Sequence, residues 1–389
     1  MNSIYLKRGK EESLQRFHPW IFSGAIHHQD EGINEGDVVS VFTSGGSFIA
    51  TGHYQQGSIS VRVLSFKEEA IDEDFWHRRL EQALNARKAI GLVDNQLTTA
   101  YRLVHGEGDM LPGLIVDIYG QTAVMQAHSI GMHLSRQTIP SQLIDIMEGR
   151  IQHIYYKSET TLPFMEPKNG FIVGGSDENT SMENGLRFLV DWKEGQKTGF
   201  FVDQRDNRSL LEHYARRRSV LNMFCYTGGF SFYAMRGGAT LVHSVDSSLK
   251  AIELTRSNVA LNFPGDPRHE AFCEDAFKFM ERKSFPYDLV ILDPPAFAKH
   301  RAALHNALKG YTRLNAKALE RIAPGGILFT FSCSQVVTKE QFRNAVFTAA
   351  AQARRQVRIL HQLHQPADHP INIYHPEGEY LKGLVLYVE

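Results

Sequence analysis

A glycine pair and two acidic residues in the C-terminal half of the chain are spaced in a way that is typical of nucleoside binding. Gly228 and Gly229 precede a helical pattern, where glycine lets a ligand approach the backbone and a helix N-terminus attracts anions. Asp246 comes 18 residues after Gly228, where a carboxylate can accept bonds from both hydroxyls of a ribose. Asp275 follows at the spacing of a third strand end and could meet an adenine edge. The glycines alone also fit an ordinary turn, but together these residues favour a nucleoside cofactor. The absence of GxGxxG argues against a dinucleotide.

An acid and a cysteine end the next two predicted strands. Asp293 begins an Asp-Pro-Pro sequence, whose prolines stiffen the loop and remove two backbone donors, so that the loop can hold a planar base. Amino-directed methyltransferases use a similar loop with an aromatic directly after the second proline, where this chain has Ala296 followed by Phe297. Cys333 follows the next strand, and a thiol beside an acid is a possible covalent nucleophile. Plainer interpretations stay open for both residues: a helix-capping Asp293 and a buried, inert Cys333.

Alternating strands and helices from about residue 200 must position these side chains. The predicted helices cover 204–217, 230–236, 248–262, 308–322 and 339–355, and the predicted strands cover 219–224, 241–246, 287–292, 326–332, 356–363 and 383–388. Repeated alternation implies a parallel sheet with helices on both faces, whose ligands bind at the carboxyl ends of the strands. The strands that end at Asp293 and Cys333 are expected to be neighbours, about 4.8 Å apart, so both residues should flank one crevice.

The first half of the chain changes its periodicity twice. Residues 1–70 are predicted to be an all-β barrel, because short apolar runs are separated by glycine-rich turns. Helical spacing then follows Asp72 and Asp74, which are candidate caps. The remaining predictions are a helix over 72–90, strands over 113–118, 122–127 and 151–156, a helix near 134–148 and a turn-rich boundary at 174–179. The predicted domains are 1–70, 71–180 and 181–389.

Length and composition describe a folded chain of two or three domains. The chain has 389 residues, of which 42% are hydrophobic and 22% charged, which excludes a disordered or collagen-like protein. No apolar run approaches the roughly 20 residues of a membrane helix, and the N-terminus has no signal-peptide core. The three cysteines Cys225, Cys273 and Cys333 suit neither a disulfide scaffold nor a zinc site. We therefore expect a cytoplasmic protein with free thiols and no metal, and we interpret Cys225 and Cys273 as structural.

Charge is distributed unevenly along the chain. Residues 1–200 carry 18 Lys and Arg against 25 Asp and Glu, a net charge of −7. Residues 201–389 carry 24 against 18, a net charge of +6. A positive half suits an anionic ligand or nucleic acid, although solvated arginine helices produce the same asymmetry.

Motifs along the whole chain resemble the RlmI-type ribosomal RNA methyltransferases, S-adenosylmethionine-dependent enzymes that methylate cytosine C5 in the bacterial large subunit. The most specific motif is GQKTGFFVDQRDNR at 195–208. The other motifs are HPWIF at 18–22, GDVV at 36–39, LVHGEGD at 103–109, LPGLIVD at 111–117, the loop at 224–230, DPP at 293–295 and SCS at 332–334. The resemblance implies an α/β fold: a Rossmann-like class I methyltransferase domain, an N-terminal PUA β-barrel that binds RNA and a small central α+β domain.

The resemblance also implies roles for individual residues. Cys333 would be the nucleophile that adds to cytosine C6, and Asp293 would hold the cytosine edge. S-adenosylmethionine would be bound by Asp203, Gln204, Phe224, Tyr226, Thr227, Gly228, Gly229, Asp246, Ser247, Asp275 and Ala276. A nearby positive charge should favour the thiolate, and Lys299 and Arg301 are candidates. The expected partner is large-subunit ribosomal RNA, in the cytoplasm and without a membrane; a homodimer is also considered.

Two other functions stay open. A sister group that methylates guanine N7 shares the motif at 195–208 but lacks the cysteine, so one alternative is a guanine N7 or base-amine methyltransferase in which Cys333 is structural. The other is a non-catalytic RNA-binding or ribosome-assembly factor, against which the cofactor carboxylates and Cys333 argue. One position departs from the family: Gln335 stands where a histidine is expected after Ser334.

Overall fold

A computed structural model describes residues 2–162, 165, 168–282 and 284–389 of the chain. The chain divides into two compact units. The first unit comprises Met1–Gly185, Val190–Val202 and Ala367–Gly378, and the second comprises Leu186–Leu189, Asp203–Pro366 and Glu379–Glu389. The regions predicted as 1–70 and 71–180 both lie in the first unit.

The N-terminal part of the first unit is a β-sheet, as its short apolar runs and glycine-rich turns predicted. Its elements are β1 (Asn2–Leu6), the short helix α1 (Glu12–Gln15), β2 (Trp20–Phe22), β3 (Ile26–Gln29), β4 (Val38–Phe42), β5 (Phe48–Tyr54) and β6 (Ile59–Ser65). The strand order is β2-β6-β5-β4-β1-β3, with β1 and β4 parallel. Every second residue faces inward, so that Val39 and Val41 are fully buried together with Ile4 and Leu6.

The rest of the first unit packs helices on a second sheet. Its elements are α2 (Glu73–Ala89), β7 (Ala100–His105), β8 (Leu114–Tyr119), β9 (Thr122–Ala127), α3 (Ile130–Leu134), α4 (Ile139–Met147), β10 (His153–Tyr156), β11 (Gly170–Val173) and the strand β12 (Thr180–Glu183). Strands β11-β10-β9-β8-β7 form the sheet. Asp72 caps α2 by accepting a 3.0 Å bond from Phe75 N, while Asp74 lies in the first turn. The helix predicted near 134–148 is found as α4, which begins later, at Ile139, because α3 ends at Leu134 and Pro140 suits the first turn of a new helix.

The second unit contains the strand–helix alternation that the sequence predicted. After β13 (Leu186–Leu189), its elements are α5 (Arg205–Tyr214), β14 (Ser219–Met223), α6 (Gly229–Arg236), β15 (Leu241–Asp246), α7 (Leu249–Asn262), β16 (His269–Cys273), α8 (Ala276–Met280), β17 (Leu289–Leu292), α9 (Leu304–Arg321), β18 (Gly326–Ser332), α10 (Lys339–Gln352), β19 (Val357–Leu363) and β20 (Lys382–Val388). The strand order is β16-β15-β14-β17-β18-β20-β19.

The pairing of these strands confirms the predicted parallel sheet. Strands β14 to β18 are parallel to one another, and β20 runs antiparallel to both β18 and β19. Strands β17 and β18 are adjacent, as expected for the strands that end at Asp293 and Cys333. Every residue of β17 and β18 is buried, which is typical of central strands covered on both faces. Among the described helices, none has the length and apolar character needed to span a membrane.

Candidate active site

Asp246 and Asp293 lie at the ends of the two strands that flank β14 in the sheet of the second unit. Met223, the last residue of β14, pairs with Val245 on one side and with Leu292 on the other. Asp246 and Asp293 directly follow Val245 and Leu292 in the sequence. The register therefore brings the two carboxylates to the same edge, on either side of the loop that follows β14.

The loop between β14 and α6 has an unusual backbone conformation. Phe224, Tyr226 and Gly228 have φ angles of 58°, 49° and 83°, all in the left-handed region. Non-glycine residues in this region cost about 1 kcal/mol or more each and persist where surrounding contacts hold them, which is common at ligand sites. The loop is therefore held in shape by its neighbours.

Asp246 is one of the groups that hold this loop. Its Oδ2 accepts a 3.0 Å hydrogen bond from the backbone N of Tyr226, and its Oδ1 accepts a 2.9 Å bond from the backbone N of Ser248. The carboxylate is half-buried, while the neighbouring Ser247 is exposed. Asp246 thus fixes the loop and presents negative charge at the end of β15.

Two buried polar residues of α7 support the same loop, and sequence reasoning missed both. Thr255 donates from Oγ1 to the carbonyl of Tyr226 at 2.9 Å, and Asn258 donates from Nδ2 to the carbonyl of Thr227 at 3.2 Å. Both side chains are fully buried. A signal was present, because polar residues on the buried face of a predicted helix need partners.

The glycine pair is required by packing within the protein. A Cβ on Gly228 would lie 2.7 Å from Cγ2 of Thr255 and 2.9 Å from Cε1 of Phe232. A Cβ on Gly229 would lie 3.0 Å from Cδ of Arg208. These short distances explain why glycines stand at the start of α6. The positive φ angle at Gly228 is a second reason for glycine at that position.

Asp275 caps α8. Its Oδ1 accepts hydrogen bonds from the backbone N of Phe277 at 3.0 Å and of Lys278 at 3.1 Å. Both bonds use the same oxygen, so capping is compatible with a contact between Oδ2 and an adenine amino group. Ala276, the first residue of the helix, is buried, whereas Asp275 is exposed.

The second half of the motif at 195–208 lies beside Asp293. Nε2 of Gln204 donates to Oδ2 of Asp293 at 3.0 Å, and Oε1 of Gln204 accepts from Nδ2 of Asn207 at 2.6 Å. Asp203 accepts a 2.7 Å bond at Oδ2 from the hydroxyl of Tyr380. Asp203 and Gln204 are buried, so their polar groups hold the residues around Asp293 in fixed positions.

The first half of the same motif has a structural role within the first unit. Thr198 donates from Oγ1 to Oδ2 of Asp117 at 2.6 Å, and Asp117 is fully buried against Arg102. The carbonyl of Gly195 accepts a 2.6 Å bond from Nζ of Lys157. The motif therefore combines anchoring residues before Val202 with residues near Asp293 after it.

Cys333 lies beside the Asp-Pro-Pro loop. Its thiol donates to the carbonyl of Pro294, with 3.9 Å between Sγ and the oxygen, and the side chain is half-buried. The next residue, Ser334, is fully buried and is held by the hydroxyl of Tyr311 at 2.9 Å and by the backbone N of Ala298 at 3.3 Å. Asp293 and Cys333 thus follow adjacent strands, with the thiol against the Asp-Pro-Pro loop on a turn that is anchored through Ser334.

A buried lysine lies next to this cysteine. Lys382 pairs with Ser332 across β20 and β18, and its Nζ donates to the carbonyl of Ser334 at 2.7 Å. Burial lowers the pKa of Lys382 to about 8, an effect that Cys333 and Glu379 partly oppose by favouring its charged form. The candidates suggested by sequence, Lys299 and Arg301, are exposed; Lys382 is the cation that the structure places beside Cys333.

The remaining cysteines lie in other surroundings. Cys225 is buried behind the loop, where desolvation and the charge of Asp246 raise the pKa of its thiol. Cys273 is exposed at the end of β16, and its Sγ lies 3.5 Å from the carbonyl of Ser247. Burial makes Cys225 inert, which agrees with its structural interpretation.

A parallel sheet with a left-handed loop after its first strand and carboxylates at the ends of the next strands is typical of S-adenosylmethionine-dependent methyltransferases. The model of that family matches residues 170–374, and the model of a PUA-like domain matches residues 4–66. The chain is 39% identical over 399 residues to ribosomal RNA large subunit methyltransferase I of Shewanella denitrificans, covering 99% of both chains. It is 40% identical to the Aeromonas hydrophila protein of the same name, covering 99% of this chain and 98% of that one. The chain belongs to the ribosomal RNA large subunit methyltransferase I family.

Solved structures share the same fold over the full length. One is a SAM-dependent methyltransferase from Streptococcus mutans, with a TM-score of 0.86 and 23% identity, and 100% of both chains is covered. A second, a methyltransferase complexed with SAH, has a TM-score of 0.87 and 23% identity at the same coverage. These likenesses confirm the predicted fold class.

S-adenosylmethionine is the cofactor of this family, and the residues of the second unit fit it. The left-handed residues Phe224 and Tyr226 shape the loop after β14, and the half-buried carboxylate of Asp246 lies at the end of β15 beside it. The match to the family model confirms the sequence prediction of this cofactor at the level of the family.

Proposed function

We propose that the protein transfers the methyl group of S-adenosylmethionine to C5 of a cytosine in large-subunit ribosomal RNA, through a covalent adduct with Cys333. The observation that carries the proposal is the position of Cys333: its thiol lies 3.9 Å from the carbonyl of Pro294, which follows Asp293, and the buried Lys382 bonds to the carbonyl of the next residue, Ser334. The relatives that match over the full length are named for large-subunit ribosomal RNA. The PUA-like domain and the positive C-terminal half of the chain suit such a substrate.

The thiol supplies the reactivity that cytosine lacks. Cytosine C5 is a poor nucleophile, but the Cys333 thiolate can form a bond to C6 and move the C5–C6 π electrons onto C5. When bound, S-adenosylmethionine supplies an electrophilic sulfonium methyl group, and the C5–methyl bond forms as the methyl–sulfur bond breaks. A base then removes the C5 proton, the C5–C6 double bond forms again, and the Cys333–C6 bond breaks to release the thiolate.

Asp293 and its partners position the base. The carboxylate of Asp293 would accept a hydrogen bond from the exocyclic amino group of cytosine, while Gln204 holds the other side of the carboxylate through Oδ2. The two prolines that follow stiffen the loop, so the carboxylate keeps its orientation when the base enters. A flipped or unpaired nucleotide reaches such a site most easily, which favours a loop or unfolded segment of the RNA.

Lys382 would stabilise the attacking thiolate. A free cysteine with a pKa near 8.5 is mostly protonated at pH 7, and a buried cation beside it favours the thiolate. Lys382 is charged below its pKa of about 8 and loses this charge as the pH rises through that value. The stabilisation is therefore present at neutral pH, where the enzyme needs a nucleophile.

The cofactor residues are assigned on the same edge of the sheet. Asp246 would accept bonds from the ribose hydroxyls, and Asp275 and Ala276 would meet the adenine. The loop would contribute Phe224, Tyr226, Thr227, Gly228 and Gly229, and the remaining assignments are Ser247, Asp203 and Gln204. Residues 1–70, 71–180 and 181–389 would act as the RNA-binding, central and methyltransferase domains.

Nucleoside mass spectrometry of ribosomal RNA tests the reaction and the substrate together. Cells that lack the protein should lose one 5-methylcytosine from the large-subunit RNA, and the purified protein should restore it in vitro. Loss of a methylated guanine or of a base N-methyl group would overturn the proposal in favour of the other methyltransferase chemistries. An unchanged nucleoside profile would instead favour a non-catalytic assembly factor.

Replacing Lys382 should make Cys333 less reactive near neutral pH. In Lys382→Met, the pH midpoint of Cys333 alkylation by iodoacetamide should rise by on the order of one pH unit, because the buried positive charge is removed. Peptide mass spectrometry reads Cys333 separately from the exposed Cys273.

The matched control for this experiment is Lys339→Met. Lys339 is an exposed lysine that forms an ion pair with Glu379. Its removal should shift the Cys333 midpoint far less than the removal of Lys382. Equal midpoints in wild type and Lys382→Met would contradict the role of Lys382.

A further inference from the structure

Two histidines and a glutamate from opposite ends of the sequence converge in the first unit, outside the methyltransferase sheet. His18 lies just before β2, and His375 and Glu377 lie in the segment 367–378. One possible ligand atom from each side chain lies within 4.8 Å of the other two. Nε2 of His18 is 3.6 Å from Oε1 of Glu377, and Nε2 of His375 is 3.7 Å from Oε2 of Glu377.

The imidazole of His375 is buried and has no hydrogen-bond partner among the residues that the structure describes. The residue is 2% exposed, and neither Nδ1 nor Nε2 makes a hydrogen bond within the described part of the chain. A buried polar group without a partner costs folding free energy, so a ligand at this ring would satisfy a real requirement.

The other histidine can take the orientation that a metal ligand needs. Nδ1 of His18 lies 3.3 Å from both the backbone N and the backbone O of Trp20. When Nδ1–H donates to that oxygen, the lone pair of Nε2 points away from the backbone bond, as in metal-binding histidines held by a carbonyl. The indole of Trp20 packs against the His375 ring with 4.3 Å between centroids, and its Nε1 donates to Glu107 at 2.9 Å.

We propose that His18, His375 and Glu377 bind a Zn²⁺ ion. Two imidazole nitrogens and one carboxylate oxygen are a zinc ligand set with a fourth position for water, whereas Mg²⁺ and Ca²⁺ prefer oxygen ligands. Zinc bonds of about 2.0–2.1 Å place tetrahedral ligand atoms about 3.3 Å apart. The 3.6 and 3.7 Å contacts run to different oxygens of Glu377 and the three ligand atoms lie within 4.8 Å, so the side chains must move closer by up to about 1.5 Å to hold an ion. Glu377 is exposed and gives the ion a path from solvent.

The ion would cross-link two segments of the first unit. It would join the residues before β2 to the segment 367–378, which are separated by most of the sequence but belong to the same unit. Binding to the folded state alone stabilises that state by mass action. The inference is independent of the methyl-transfer reaction and concerns a different part of the molecule.

Zinc uptake by the full-length chain without a histidine tag tests the site. Chelator-treated protein is equilibrated with zinc chloride at low-micromolar free Zn²⁺, and the bound metal is measured by mass spectrometry, without RNA or cofactor. We expect about one zinc per chain and a rise in Tm. Glu377→Gln and His18→Gln should each weaken zinc affinity by on the order of tenfold or more and remove the Tm shift.

Two control variants separate this site from adventitious zinc binding. His77 forms a 3.0 Å contact with Asp145 as an exposed histidine–carboxylate pair, and Cys273 is an exposed thiol. His77→Gln and Cys273→Ser should both keep the full uptake. Because His375 is buried and its replacement can disturb folding, the decision rests on the exposed Glu377. Equal uptake by wild type and Glu377→Gln, uptake lost in Cys273→Ser, or no uptake by wild type would overturn the proposal.

Discussion

Replacing Cys333 by serine should abolish methylation and leave S-adenosylmethionine binding nearly unchanged. A serine hydroxyl is far too weak a nucleophile at neutral pH to add to cytosine C6. It is close in size to the thiol and can still donate to the carbonyl of Pro294, so the turn should keep its shape. In the strand order β15-β14-β17-β18, the cofactor carboxylate Asp246 lies three strands from Cys333, on the order of 14 Å at about 4.8 Å per strand. Methyl transfer to large-subunit RNA and calorimetry with the cofactor measure the two properties separately.

The covalent adduct gives a second readout for the same residue. RNA that carries 5-fluorocytosine at the target should trap the wild-type protein, because fluorine blocks the proton-removal step that releases the cysteine. Cys333→Ser and Cys333→Ala should form no adduct, and Cys273→Ser should trap as well as wild type. Full turnover by Cys333→Ala would make the thiol structural and move the function to guanine N7 or base-amine methylation. An adduct that survives in Cys333→Ala but disappears in Cys225→Ala would support covalent catalysis with Cys225, not Cys333, as the nucleophile.

Sequence patterns predicted the scaffold of the site well. The bounds of β15 and β18 match those expected from the apolar runs at 241–246 and 326–332. Alternating strands and helices allow few arrangements other than a parallel sheet, and in such a sheet the carboxyl ends of the strands share one edge. The positions of Asp246, Asp293 and Cys333 after strands could therefore be predicted without coordinates.

Lys382 shows what sequence patterns could not provide. It belongs to β20, the last strand of the chain, and reaches Cys333 because β20 runs antiparallel to β18 with Lys382 opposite Ser332. The register of two strands separated by a long connection depends on tertiary packing and has no local signal. The sequence therefore suggested Lys299 and Arg301, which are near the Asp-Pro-Pro loop in the chain but exposed in the structure.

The motif at 195–208 illustrates a different limit. Resemblance assigned Asp203 and Gln204 to the cofactor, and the structure places Gln204 against Asp293 and Asp203 against Tyr380. These contacts place both residues near Asp293 and leave their contact with the cofactor a prediction. A motif identifies a group of residues but does not tell which of them are structural, such as Thr198 with its bond to Asp117, and which belong to the site.

The cluster of His18, His375 and Glu377 was not predicted from the sequence for a similar reason. Composition and cysteine spacing predicted no metal site, and His18 and Glu377 belong to segments at opposite ends of the chain. Metal ligands that are distant in sequence leave no spacing pattern, unlike the short ligand pairs of zinc fingers. Only the folded first unit brings the three side chains within reach of one ion.

Asp246→Ala should weaken S-adenosylmethionine binding by at least about an order of magnitude, equivalent to about 1.4 kcal/mol or more. The variant removes the acceptor for the ribose hydroxyls and also the bond that holds the backbone N of Tyr226, whose left-handed conformation needs support. Calorimetry with the full-length chain measures the affinity. Glu270→Gln is the matched control, because Glu270 is an exposed carboxylate on β16 near His243 and should leave the affinity unchanged.

A ligand analogue separates ribose recognition from loop support. S-adenosylhomocysteine that lacks the 2′-hydroxyl should bind wild type more weakly than the intact compound does. In Asp246→Ala the two compounds should bind almost equally, because the acceptor of that hydroxyl is already gone. The affinity lost on removing the hydroxyl is thus compared between wild type and Asp246→Ala, and the difference is the coupling energy between the Asp246 side chain and the hydroxyl. If Asp246 acts only by holding the loop, removing the hydroxyl should cost the same affinity in both proteins. Equal affinity of wild type and Asp246→Ala for the cofactor would remove Asp246 from the site and leave the strained loop to be held by Thr255 and Asn258.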